Sequence, residues 1–460
     1  MSHYSLLLKN GHIIDPINQV NEISDIGIID NQISAVAPNL NPRHAEKVID
    51  LSHHIVIPGI IDPHVHIQNI GHRNMAKVGV VTAVDVTASM TEIVSGIKQM
   101  GTGMNIAAVT DIHHYIHETH PSRAKIKTML NTYLASGALG VKIIQEPLPH
   151  ETILDTIEIA NTQQAYVKLD CGVTEEGSNI NGLSWIIKEL GNNLCLDIAH
   201  INSYCRGQVK DPIEEALSAL QLLTLKQNIQ SESYLGIING TNGQVINDIL
   251  LNGCTRDCLH LGGYPETAAG MRQALLDGYA RVPEVIGGET VLLTGSDALE
   301  AWLATDQRTV SFPVNVPSAA ILLATRKNIK NQFIINAIST DGGATPRNVI
   351  VSSGLALVRY GALTIQDFVI KTSYNPSRMF GMLSKGTLGV NMDADITVLD
   401  PVKGQATMGI AQGQIIMINK VITGHRGHLL TTTQGEPTIK KTGLPYSLLD
   451  LSKSGLYINN

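Results

Sequence analysis

Residues 57–66 read Ile57-Pro58-Gly59-Ile60-Ile61-Asp62-Pro63-His64-Val65-His66. Pro-Gly punctuates the chain as a turn, and the short apolar run behind it reads as a strand ending on two histidines. Side chains alternate between the faces of a strand, so His64 and His66 project on the same side. In a closed parallel barrel the end of such a strand is the C-terminal mouth, where these folds place their chemistry. Two neutral imidazoles held this way suit zinc or another first-row divalent ion. A bare His-x-His is more often surface histidine. The Pro-Gly-Ile-Ile-Asp lead-in and the β-rich segment before it give this pair its weight.

Upstream of that stretch, short β-branched or apolar runs over 5–8, 13–14, 25–29 and 32–36 read as strands, with Gly11, Pro16 and Asp30-Asn31 as turns. Downstream, apolar runs of four to eight residues alternate with helical periodicity, the mark of βα units. Barrel strands are predicted over 60–67, 80–86, 105–111, 140–144, 165–169, 194–200, 229–235 and 334–340. Helices are expected over 91–100, 150–161, 184–190 and 212–226. Eight strands make a (β/α)8 TIM barrel over 59–383. The stretch 236–333 is too long for one βα connection and reads as an insertion over the mouth. Beyond residue 387, strands return over 394–399, 408–411, 414–418 and 420–422. The two ends, 1–58 and 384–460, are therefore expected to pair into one discontinuous β-sandwich domain.

Bulk properties agree with this. A chain of 460 residues can hold such a barrel, roughly 250–350 residues, plus a small companion. Its net charge of −7 offers no basic face for nucleic acid. Apolar runs fall far short of the roughly 20 residues needed to span a bilayer, and residues 1–10 do not read as a signal peptide. Five cysteines without repeated spacing argue against a disulfide framework and for a reducing compartment, so a cytoplasmic protein is expected.

At this point the chain resembles the amidohydrolase superfamily, specifically its dihydroorotase, hydantoinase and D-aminoacylase branches. The resemblance starts at Leu7-Leu8-Lys9-Asn10-Gly11, passes through the His64–His66 motif, and ends at Lys385-Gly386-Thr387-Leu388-Gly389 and Ala394-Asp395-Ile396-Thr397-Val398-Leu399-Asp400. It implies a β-sandwich beside a barrel holding one or two divalent metals, zinc above all, and a homo-oligomer. Lys142, in Gly140-Val141-Lys142-Ile143, matches a fourth-strand lysine that is carboxylated in the family and bridges two metals. Carboxylation turns a costly buried cation into an anionic ligand. The ordinary alternative is a lysine whose stem packs while its amine reaches solvent. His200, closing Leu194-Cys195-Leu196-Asp197-Ile198-Ala199, matches the sixth-strand metal histidine. Asp341, in Thr340-Asp341-Gly342-Gly343, matches the eighth-strand aspartate that touches metal and acts as general base. Without the resemblance it would read as a turn-forming aspartate.

Strand five departs from the family. Binuclear members place a histidine there, whereas this chain has Leu169-Asp170-Cys171-Gly172. Asp170 or Cys171 could ligate instead, or one metal position could be absent. Further candidates are His113 and His114, which follow the third strand and would face substrate, and Arg206, placed to clamp a carboxylate or oxyanion. Each has a bland alternative in a solvated loop or a surface arginine. The histidines at 114, 117 and 120 read more readily as a solvated loop than as a metal cluster, and the run Cys254 to His260 looks like half a zinc site with no matching second half.

The expected chemistry is metal-assisted hydrolysis of a small-molecule amide or imide at a C–N bond, as in hydantoinases and dihydroorotases. The alternatives within the family are an N-acyl-D-amino-acid deacylase and a deaminase. From another class comes a non-catalytic assembly protein that kept the fold and lost its metals, for which the missing strand-five histidine is the best support.

Overall fold

The computed structural model describes residues 3–67, 70–145, 147–174, 177–287, 289–305 and 309–458. From Ile60 onward, apolar runs form eight parallel strands: β1 (Ile60–His66), β2 (Val80–Asp85), β3 (Asn105–Asp111), β4 (Gly140–Ile144), β5 (Tyr166–Asp170), β6 (Leu196–Ile198), β7 (Ile229–Tyr234) and β8 (Ala337–Ser339). Each hydrogen-bonds to the next in chain order. Every residue of β2, β3 and β5 is buried, as expected of a parallel sheet covered on both faces.

The ring closes through a broken last strand. After β8 leaves its pairing with β7, Gly342 and Gly343 pair in parallel with Val65 and His66 of β1. Gly343 has φ +100°, and a Cβ there would lie 2.4 Å from the His66 carbonyl oxygen, so only glycine permits this approach. The fold is thus a TIM barrel, with a second, largely antiparallel sheet drawn from both chain ends.

Helices cover the outside. Met90–Met100 starts with a capping box formed by Ser89 and Glu92, and Pro212–Thr224 with Asp211 as its cap. Helices also form over His150–Thr162 and Ile180–Glu189, close to the expected spans. Between β7 and β8 the chain leaves the barrel and builds a subdomain with its own apolar core, including Leu259, Met271, Trp302 and Phe312. Helix Pro317–Thr325 packs Ala319, Leu323 and Ala324 into the barrel core, so it serves as the β7-to-β8 crossover helix.

The second sheet has nine strands. Leu6–Asp15 is a single strand bulged between Leu8 and Gly11, so Gly11 interrupts the ladder without turning the chain. The two chain ends meet where Ile55–Pro58 pairs antiparallel with Ile396–Asp400. Lys385 bridges Asp393 at 2.8 Å and Asp395 at 2.6 Å, and Asp395 accepts from Asn105 of β3 at 2.8 Å. The Lys385 and Asp395 segments therefore fasten this sheet to the barrel. The tail beyond it returns to the barrel, where His428–Thr431 pairs in parallel with β3. No helix among the described residues is long and apolar enough to cross a membrane.

Candidate metal centre

At the C-terminal ends of the strands, five of the sequence-predicted side chains converge. His64 and His66 end β1, Asp170 ends β5, and His200 and Asp341 lie just past β6 and β8. His66 Nε2 is 2.8 Å from Asp341 Oδ1, and His64 Nε2 is 3.5 Å from the same oxygen. One ligand atom from each of the three lies within 4.8 Å of the others. His200 Nε2 sits 3.2 Å from Asp170 Oδ2, and its ring centroid is 4.9 Å from that of His64. His66, Lys142, Asp170, His200 and Asp341 all line one cavity of about 430 Å³.

The backbone is bent to make this possible. His200 has φ +29° and Asp341 φ +50°, both in the left-handed region that non-glycine residues avoid. Such residues typically cost about 1–3 kcal/mol each and persist where the surroundings over-determine them. The short β6 reflects the same bend: the strand stops at Ile198, before the expected end at residue 200.

The donor set suits a cation. His64 Nδ1 faces Glu232 Oε1 at 2.6 Å, which fixes its proton on that nitrogen. Its Nε2 is buried and has no hydrogen-bond partner. A carboxylate behind an imidazole whose other nitrogen is free is how proteins orient metal-ligating histidines. Thr87 Oγ1 supports His66 from behind in the same way. Burial, aided by the charges of Lys168 and Lys142, holds His64 well below the ordinary imidazole value, leaving it neutral as a ligand must be. For Asp341, burial favours the acid form, but Arg347 Nη2 at 2.8 Å and the His66 contact keep the carboxyl well below its usual range.

Beneath these ligands lies a polar layer. Lys168 Nζ reaches Asp197 at 3.0 Å and Glu232 at 3.3 Å, all three fully buried. Burial opposes its charge, yet the two carboxylates raise the Lys168 value, so the ammonium compensates both. Glu232 also accepts from the His200 amide at 2.8 Å and from Ser339. Glu232, Lys168, Asp197 and Arg347 had no assigned role in the sequence reading. For the first three the available signal was a charged residue inside a largely buried strand; Arg347 lies in the loop after Gly343.

Of the two strand-five candidates, Asp170 faces the cavity, while Tyr204 donates to its Oδ1 at 3.2 Å. Cys171 is buried away from the cavity lining. Arg206 lines the cavity, with Nε on Asn315 Oδ1 at 2.9 Å. The structure does not bring His113 or His114 to the cavity. His114 instead stands 3.8 Å from Glu92 on the outer helix. His260 points outward to Glu266 at 3.2 Å.

No family model matches the chain. The dihydroorotase of Streptococcus pyogenes serotype M1 is 24% identical over 411 residues, spanning 85% of this chain and 89% of its own. The chain is thus similar to dihydroorotases over most of its length, and shares its fold with solved amidohydrolases. Among these, N-acyl-D-glutamate deacylase from Bordetella bronchiseptica, solved with zinc and a phosphonate inhibitor, superposes with TM-score 0.66 at 14% identity. That match covers 93% of this chain and 99% of the other. The D-hydantoinase from Thermus sp. gives 0.59 at 18% identity, covering 92% and 98%.

Proposed function

We propose that this protein is a zinc-dependent hydrolase that opens the C–N bond of a cyclic amide or imide, with Asp341 as general base. The observation that carries this reading is the buried, unpartnered Nε2 of His64 beside His66 and Asp341. His64, His66 and Asp341 would hold one ion. His200 and Asp170 would hold a second, with Lys142 between them as a carboxylated bridge. A bound cation supplies an acidified water near neutral pH and polarisation of the scissile carbonyl.

The protein's own groups do the rest. Asp341 accepts a proton from the attacking water and passes it to the leaving nitrogen. Arg347 keeps that carboxylate ionised and aimed. Arg206, at the cavity wall, receives an anionic substituent of the substrate through its guanidinium. The subdomain between β7 and β8 contributes Asn239, Thr241 and Asn252 to the cavity wall, polar groups suited to a small polar molecule. Five cysteines without a repeated spacing fit a reducing cytoplasm.

An N-acyl-amino-acid deacylase is the second reading, favoured by the deacylase superposition. The test is hydrolysis of dihydroorotate, dihydrouracil, hydantoins and N-acetyl amino acids by zinc-loaded protein, with ring opening and acetate release followed separately. Asp341→Asn should lower kcat by roughly 10²–10⁴-fold while zinc content is retained. Full turnover by that variant would overturn the assignment. Substoichiometric metal and no turnover on any substrate would favour the non-catalytic relative.

A further inference from the structure

One side chain of the cavity wall, Cys254, has no task in the proposed reaction. Helix Gly253–Leu261, capped by Asn252, places Cys254 and Cys258 one turn apart on one face. Cys254 is partly exposed and lines the cavity, whereas Cys258 is buried. Asn239 Nδ2 lies 3.0 Å from Cys258 Sγ and 3.9 Å from Cys254 Sγ, so one amide faces both sulfurs. Arg206 Nη1 lies 3.9 Å from Cys254 Sγ, and Arg206 is itself buried and anchored on Asn315.

A second thiol, an amide donor and a guanidinium therefore converge on one sulfur that opens to the cavity. The hydrogen bond from Cys258 lowers the Cys254 thiol below its ordinary value; burial opposes this and the Arg206 charge reinforces it. Burial pushes the Cys171 and Cys205 thiols up, and Cys195 is also buried. Thiolate character and access coincide at a single cysteine, the combination that selects for oxidation.

We propose that Cys254 is a covalent modification site inside the cavity, oxidised by small hydroperoxides to a sulfenic acid. Its thiolate attacks one peroxide oxygen, forming an S–O bond as the O–O bond breaks. The departing hydroxide or alkoxide takes a proton from solvent. Sulfur gives up two electrons, the peroxide gains them, and the products are the sulfenic acid and water or an alcohol. The added oxygen competes for Arg206 and narrows the cavity at that wall. Its consequence for substrate entry rests on the functional reading above; the modification itself does not.

The test uses the full chain under native conditions, treated with equimolar hydrogen peroxide and dimedone, then digested and mapped by mass spectrometry. Dimedone adduct should accumulate at Cys254 at least tenfold faster than at Cys171, Cys195, Cys205 or Cys258. Cys258→Ala, with its thermal melt checked against wild type, should slow the Cys254 adduct several-fold by removing the S–H donor. Equal labelling of all five cysteines, preferential labelling of Cys258, or an unchanged rate in a folded Cys258→Ala protein would overturn the proposal. Because the readout is mass, it holds or fails independently of whether any amide is hydrolysed.

Discussion

Glu232→Gln isolates the support behind the proposed metal site. Gln keeps the shape of the side chain but removes the charge that receives the His64 Nδ1–H at 2.6 Å. Losing an outer partner of this kind typically costs 10–100-fold in metal affinity, about 1.4–2.7 kcal/mol. The fold should suffer less than the roughly 3–5 kcal/mol of a buried ion pair broken outright. The reason is that Lys168 keeps Asp197 at 3.0 Å. Zinc affinity is measured by competition against a chromophoric chelator, and stability by urea denaturation with and without zinc. At zinc a thousandfold above the wild-type Kd, linkage stabilises wild type by about 4.1 kcal/mol; a hundredfold weaker variant gains only about 1.4. An unchanged Kd, with all of the loss in the metal-free protein, would refute the reasoning and reduce Glu232 to a packing role.

Two further outcomes concern stability. Burial, with help from Lys385, depresses His428 to about 4, so folding excludes a proton that the unfolded chain binds below about 6.5. Its contribution is complete above pH 6.5 and fades as pH falls toward 4, worth up to about 3 kcal/mol; His428→Gln should flatten that part of the urea-measured pH profile, and an unaltered slope would contradict the assignment. A Cβ on Gly140 would fall 1.8 Å from the Tyr166 carbonyl oxygen of the neighbouring strand, whereas one on Gly404 meets nothing within 4 Å. Gly140→Ala should therefore cost roughly 3 kcal/mol or more and Gly404→Ala about 1–2, both read by denaturant midpoint.

The barrel was legible because its signals are local. Short buried runs such as Asn105–Asp111 and capped helices such as Met90–Met100 announce themselves within a dozen residues. His64, His66, His200 and Asp341 were legible for another reason: each closes a strand, and strand ends in this topology share one mouth. Glu232, Lys168 and Arg347 were not, because their roles depend on partners more than 60 residues away in two cases. Arg347 is close in sequence to Asp341, but their contact requires the positive φ at Asp341, which no propensity reveals. The placement of His113 and His114 outside the cavity lining follows from the turn Ile112–His114, which starts at the Asp111 cap and takes the chain off the strand before either residue. Gly11 misled as a turn because a bulge and a turn use the same residue.

The pairing of Ile55–Pro58 with Ile396–Asp400 joins segments made roughly 340 residues apart. A nascent chain leaving the ribosome must therefore carry an apolar, unpaired edge until the whole barrel has been synthesised. Loop-closure cost falls due only once Ile396–Asp400 has emerged, which makes assembly of this sheet slow. Truncations near residue 395 should accumulate as aggregates, even though every barrel strand and every candidate ligand would already have been synthesised.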